Sequence, residues 1–374
     1  MTASIYSCNQ PLFRGGGAIP AGSTDDIIAT TTSQMNSATA SITNNFTSRR
    51  SDWASPEGDI TNIKCIDYLN YVDNSGLHAG GTRTIKRYCE YPADVFHQVT
   101  WSSGGATTIL LNSSNTSYTS DVIISSVTGE PLVIPAGTKF WWRTVNVSGS
   151  TVSAFPVIVR PAGCSSLGLD DGNSTSDLGN SGTISATTSA NTFGPNCVIG
   201  TVGAANARGF MTFGDSLVYG TGDISSVGST GASGWLHRGI NQLYGTCKVA
   251  AGGQTAQILA DRQTFYMMLK ANNLLGDCNI WPCTLTARTD STDGYATTTN
   301  QTPKTDGTYG QVNTFNASVR AGETQAAGYI EAMGYDATTL TSVIHDGPFP
   351  PVLDGTHFTS AKAAAMGDLL AADL

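Results

Sequence analysis

Apolar and polar residues alternate in short runs from about residue 61 to residue 163. Thr107–Leu111, Asp121–Ser125, Lys139–Val145 and Val152–Val159 are runs of this kind, and a period of two marks a half-buried strand. Thr128-Gly129 and Pro135-Ala136-Gly137 place turns between them. Strands at this spacing predict an antiparallel β-sandwich over residues 61–164. Trp141 and Trp142 are neighbours in one run and must point to opposite faces of it. One belongs in the core. The other is either under a loop or exposed, where it could stack on a sugar ring; core or interface packing is the plainer use.

The flanks differ. Residues 1–60 are polar and poorly periodic, which predicts an extended arm or a loosely packed lead-in. Residues 165–196 are rich in Ser, Gly, Asn, Asp and Thr and read as a linker or a long surface loop. From 197 onward short apolar runs (Cys197–Val202, Arg208–Thr212, Cys247–Ala251, Cys278–Leu285) alternate with helical faces. Trp235, Leu236, Ile240, Leu243 and Tyr244 form one such face, and an Ala-rich run to Leu374 forms another. That alternation predicts an α/β domain over 197–374. The interval between Gly253 and Cys278 has room for one helix, so the Val249 and Ile280 strands should join the Phe210 strand in one parallel sheet.

Composition narrows the setting. Charged residues are only 13% of the 374-residue chain, about half the usual share. Ser, Thr, Gly and Asn fill the difference, as in extracellular or virion-associated proteins. A net charge of -9 argues against a nucleic-acid partner and an anionic membrane surface. No apolar run is long enough to span a bilayer. The N-terminal stretch lacks the basic and apolar segments of a signal peptide, so removal of a signal, or another export route such as lysis or particle assembly, is expected. The 8 cysteines are scattered without zinc-like spacing, so neither a metal nor any other cofactor is expected; disulfides and buried thiols both fit the count.

Two stretches carry candidate chemistry. In Phe213-Gly214-Asp215-Ser216-Leu217, an apolar run ends at a glycine and hands over to Ser216. A serine there exposes its hydroxyl while its backbone N–H points at the reacting centre. In Leu353-Asp354-Gly355-Thr356-His357, the carboxylate of Asp354 can fold back onto His357, fix its tautomer and leave the other ring nitrogen as general base. Each stretch also has a plainer use: a Gly-rich turn in the first, an Asp-Gly turn before a helix capped by Thr359 in the second. His345 and Asp346 form a second acid–base pair to consider.

Taken together, Phe-Gly-Asp-Ser-Leu and Asp-Gly-Thr-His resemble the first and last sequence blocks of the SGNH (GDSL) hydrolases, over about residues 198–374. The resemblance implies a flavodoxin-like three-layer α/β fold and serine-dependent ester hydrolysis. Ser216 would be the nucleophile, His357 the base and Asp354 its orienting acid. Gly252-Gly253-Gln254-Thr255 resembles the second block, which implies that Gly253 joins the Ser216 N–H in the oxyanion hole. The third block, Gly-x-Asn-Asp, is missing, so a central strand and a side-chain oxyanion donor should be absent. An O-acylated polysaccharide is the expected substrate. The competing expectation is a non-catalytic carbohydrate-binding or surface structural protein on a decayed hydrolase scaffold.

Overall fold

The computed structural model describes residues 26–31, 38–73, 76–157, 171–185, 192–204, 209–220, 223, 234–250, 279–304, 308–321, 329–332, 354 and 356–374. Antiparallel sheets dominate them. One has four strands, in the order Asp26–Ile27, Cys197–Val202, Ile60–Tyr68, Ser117–Thr119. A larger one runs Ile109–Leu111, Arg83–Glu90, Lys139–Asn146, Thr47–Ala54, Gly172–Ser174, with Ala29–Thr31 and Phe96–Gln98 added at its margins. Ile63, Cys65 and Val198 from the first sheet share one apolar cluster with Ile85, Cys89, Phe140 and Trp142 from the second. Burying side chains of this kind contributes roughly 1.5–3 kcal/mol each.

The expected three-layer, flavodoxin-like α/β architecture is not what forms: the chain is mostly β, with several antiparallel sheets. Among the described residues the parallel part is a sheet of three strands, Gly245–Ala250, Gly209–Gly214 and Asn279–Pro282, with Gly209–Gly214 in the middle. Cys197–Val202, the apolar run with which the expected α/β domain begins, pairs antiparallel with Ile60–Tyr68. The physical reason is that a short run buried on both faces satisfies either kind of sheet equally well. The Gly253–Cys278 interval, including the expected helix, lies outside the described residues, as do His345 and Asp346.

Polar stretches also enter the sheets. Thr47–Ala54, within the segment read as an arm, is a strand between Lys139–Asn146 and Gly172–Ser174. Its charges are matched there. Arg50 pairs with Asp52 at 2.7 Å, and Asp52 also accepts from Trp142 Nε1 at 2.8 Å. Residues 171–185, read as linker, are bonded to the same sheet. Asp171 accepts from the Ser51 backbone and hydroxyl at 2.7 and 2.6 Å, and the carbonyls of Leu178, Ser181 and Gly182 accept from Arg143. Trp141 and Trp142 are both buried. Trp142 is in the apolar cluster, while Trp141 lies under the Arg49 guanidinium, 4.4 Å from the ring centre.

Helices Ser216–Tyr219, Trp235–Ile240 and Ser360–Asp373 gather around a second apolar cluster containing Phe210, Leu217, Trp235, Ile240, Phe358, Met366 and Leu370. The last two helices meet backbone to backbone. A Cβ on Gly367 would lie 2.8 Å from the Arg238 Cβ and 3.0 Å from the Trp235 carbonyl. Gly367→Ala is therefore expected to cost about 1–3 kcal/mol, read from denaturant midpoints. A loss below about 0.5 kcal/mol would mean that the helices are not in backbone contact.

Candidate active site

The central parallel strand ends at Gly214, and Asp215 then caps a single helical turn. Its backbone is extended and its Oδ1 accepts from the Leu217 N–H at 2.9 Å, which satisfies one of the donors that a helix start leaves open. Gly214 is needed for space rather than for an unusual torsion: a Cβ there would sit 2.3 Å from Val218 Cγ2. Ser216 opens the turn and is 4% exposed. Its N–H is at the first helical position, where no intrahelical acceptor exists.

The partner segment arrives from the other end of the chain. Thr359 caps the Ser360–Asp373 helix, its hydroxyl accepting from the Lys362 N–H. That helix docks on Trp235–Ile240, whose Arg238 is paired with buried Asp223; Asp223 also accepts from Gly234 N at 2.9 Å. His357 stands two residues before the Thr359 cap. Its Nε2 is 3.0 Å from Ser216 Oγ, and its Nδ1 is 2.8 Å from Asp354 Oδ2. The other Asp354 oxygen accepts from the backbone N–H groups of His357 at 2.8 Å and Thr356 at 3.1 Å.

This arrangement polarises the ring. With Nδ1 donating to Asp354, Nε2 presents a lone pair to the serine hydroxyl. Partial burial would push the Asp354 carboxyl up. Hydrogen bonds from the His357 backbone and ring, the imidazole's charge and the Thr356 N–H outweigh it and hold the group below its ordinary value. Asp354 therefore remains a carboxylate wherever an imidazole changes charge.

Ser216, Asp354 and His357 are thus brought together, and Gly253 lies outside the described residues. Residues that the sequence reading passed over tie the site to the scaffold. Arg288 Nη2 reaches Asp215 Oδ2 at 3.2 Å, and Lys304 Nζ reaches the Asp354 carbonyl at 3.5 Å. Asp215 could be foreseen as a cap from its place before a helix. Arg288 and Lys304 have no local signal, because their partners are 73 and 50 residues away in sequence. His237 is buried in the Trp235–Ile240 helix. Among the described residues no group of three His, Cys, Asp or Glu could hold a metal ion, and no helix is long and apolar enough to cross a membrane.

No family model and no curated protein matches the chain. Solved structures similar to it include a salicylyl-acyltransferase, SsfX3, from a tetracycline biosynthetic pathway (10% identity, 88% of this chain and 80% of that one, TM-score 0.25). A family two carbohydrate esterase from Cellvibrio japonicus is another (9% identity, 98% and 95%, TM-score 0.27), and the YXIM protein of Bacillus subtilis a third (11% identity, 87% and 79%, TM-score 0.24). Likeness at these TM-scores carries no argument, so the functional reading rests on the site.

Proposed function

We propose that this chain is a serine-dependent ester hydrolase acting on O-acyl groups of a polysaccharide. The observation that carries the reading is the continuous line Ser216 Oγ–His357 Nε2–His357 Nδ1–Asp354 Oδ2, at 3.0 and 2.8 Å. In this reading His357 accepts the Ser216 proton as Oγ attacks the ester carbonyl. The imidazolium, steadied by Asp354, returns that proton to the leaving alcohol. Water then enters by the same general-base step and frees the acid. The Ser216 N–H holds the oxyanion, with Gly253 as a second donor on the strength of the sequence resemblance. The low charge and Ser/Thr-rich composition support an extracellular, uncharged polymer as the alcohol.

The test is turnover of p-nitrophenyl acetate by the wild type and not by Ser216→Ala. Absence of wild-type turnover on this and on O-acetylated glycans would favour a non-catalytic binding role. The pH profile is a separate check. A protonated imidazole cannot accept the serine proton, and imidazoles change charge between about pH 5 and 8. Because Asp354 is held low, kcat/KM should fall through that range on acidification with one ionisation. A flat profile there would remove His357 from the base role.

A further inference from the structure

The hairpin Thr289–Ser291/Gln301–Pro303 stands at the site and takes no part in the proton relay. Its base is closed by a hydrogen bond from Lys304 N to the Arg288 carbonyl at 3.0 Å. From that closed base the two side chains diverge. Arg288 pairs with Asp215, adjacent to Ser216, and Lys304 reaches the carbonyl of Asp354. One hairpin is therefore fastened to both halves of the Ser216–His357 pair.

The loop of the hairpin is locked from within. Asp293 accepts from Ser291 Oγ at 2.6 Å, Thr297 Oγ1 at 2.6 Å, Thr297 N at 3.0 Å and Asn300 Nδ2 at 3.0 Å. Ser291 Oγ in turn accepts from Tyr295 N at 2.9 Å. Tyr295 itself has a backbone φ of +67°, a left-handed conformation that a bulky side chain adopts only where its surroundings impose it. Its hydroxyl donates to the Thr289 carbonyl at 3.2 Å. The half-buried ring packs against the apolar cluster that holds Leu217 and Phe358, the residues next to Ser216 and His357. Burial, with the charges of Asp290 and Asp354, pushes the phenol up, so it remains a neutral donor.

We propose that Tyr295 is a specificity-determining residue whose ring, held rigid by the hairpin, forms the wall against which the alcohol part of the ester lies, and that this alcohol is a pyranose. The side of the site decides which part of the substrate meets it. The leaving alkoxide must receive its proton from His357 Nε2, so the alcohol lies on the His357 side; Lys304 ties the hairpin to that side, and the Asp354 charge reaches the Tyr295 phenol there. A preorganised aromatic ring offers a flat apolar face at little entropic cost, which matches the C–H face of a sugar ring. This proposal rests on the ester-hydrolase reading.

The experiment compares kcat/KM for a mono-O-acetylated methyl pyranoside with that for ethyl acetate, whose alcohol has no ring. The variants are Tyr295→Ala and Tyr295→Phe. Tyr295→Ala should lower the ratio of the two constants about tenfold, through KM for the sugar ester. Tyr295→Phe keeps the ring, loses only the bond to Thr289, and should retain the wild-type ratio within about twofold. An unchanged ratio in Tyr295→Ala, or an equal fall in Tyr295→Phe, overturns the assignment of the wall while leaving ester hydrolysis intact. If the wild type turns over neither ester, the hydrolase reading fails and this one with it.

Discussion

Ser216→Ala is expected to lower kcat on p-nitrophenyl acetate by about 10⁴- to 10⁶-fold, to the solution background. The side chain is 4% exposed and small, so the loss of one oxygen should leave the fold and its denaturant midpoint unchanged within about 0.5 kcal/mol. That combination separates loss of the nucleophile from loss of structure. The wild-type rate on simple esters should itself be modest, since the sequence lacks the Gly-x-Asn-Asp block that would supply an asparagine donor, and one oxyanion donor is worth about 100- to 1,000-fold. Turnover by Ser216→Ala at more than about a tenth of the wild-type rate would end the nucleophile assignment. Asp354→Asn should lose about 10⁴-fold by favouring the wrong tautomer of His357.

The largest expected effect on stability lies in the larger antiparallel sheet. Glu90 is buried between two arginines: Arg49 donates to it at 3.0 and 2.8 Å, and Arg143 Nε donates at 2.7 Å. Glu90→Ala removes the carboxylate that these three bonds engage, and with it a buried counter-charge shared by Arg49 and Arg143. Breaking such a network costs about 3–5 kcal/mol, measurable by urea or thermal unfolding. The same carboxyl gives the loss a pH dependence. Burial alone would raise it, but the hydrogen bonds and charges of Arg49 and Arg143 prevail and hold it below the ordinary value. A depressed folded-state value means that its contribution is complete above the unfolded carboxyl range, about pH 4.3, and is lost as pH falls through the folded value. The wild type should therefore lose stability on acidification below about pH 4 more steeply than Glu90→Ala. Equal slopes would show that Glu90 is not held as a carboxylate in the folded protein.

Local chemistry was legible in the chain. Asp354 and His357 are three residues apart, so their contact follows from backbone reach alone, and a threonine at 359 before an Ala-rich run announces a capped helix. The serine at the end of an apolar run was legible for the same reason: strand, glycine and cap are neighbours in sequence. The 3.0 Å approach of Ser216 to His357 spans 141 residues. It depends on packing events with no local signature, such as the backbone contact of Gly367 with the Trp235–Ile240 helix. Sheet membership was hidden more deeply. Cys197–Val202 has a pattern that serves either a parallel or an antiparallel neighbour, and its pairing with Ile60–Tyr68 is a property of the assembled sheet. The run Thr-Ser-Arg-Arg-Ser-Asp-Trp-Ala at 47–54 read as polar and loose, yet it became a buried strand. Arg49, Arg50 and Asp52 find their counter-charges and donors on or beside the strand, at Glu90, Asp52 and Trp142. Burial of charge is favourable only when those partners are already in place, and their placement is a property of the assembled sheet, not of the stretch that carries the charges.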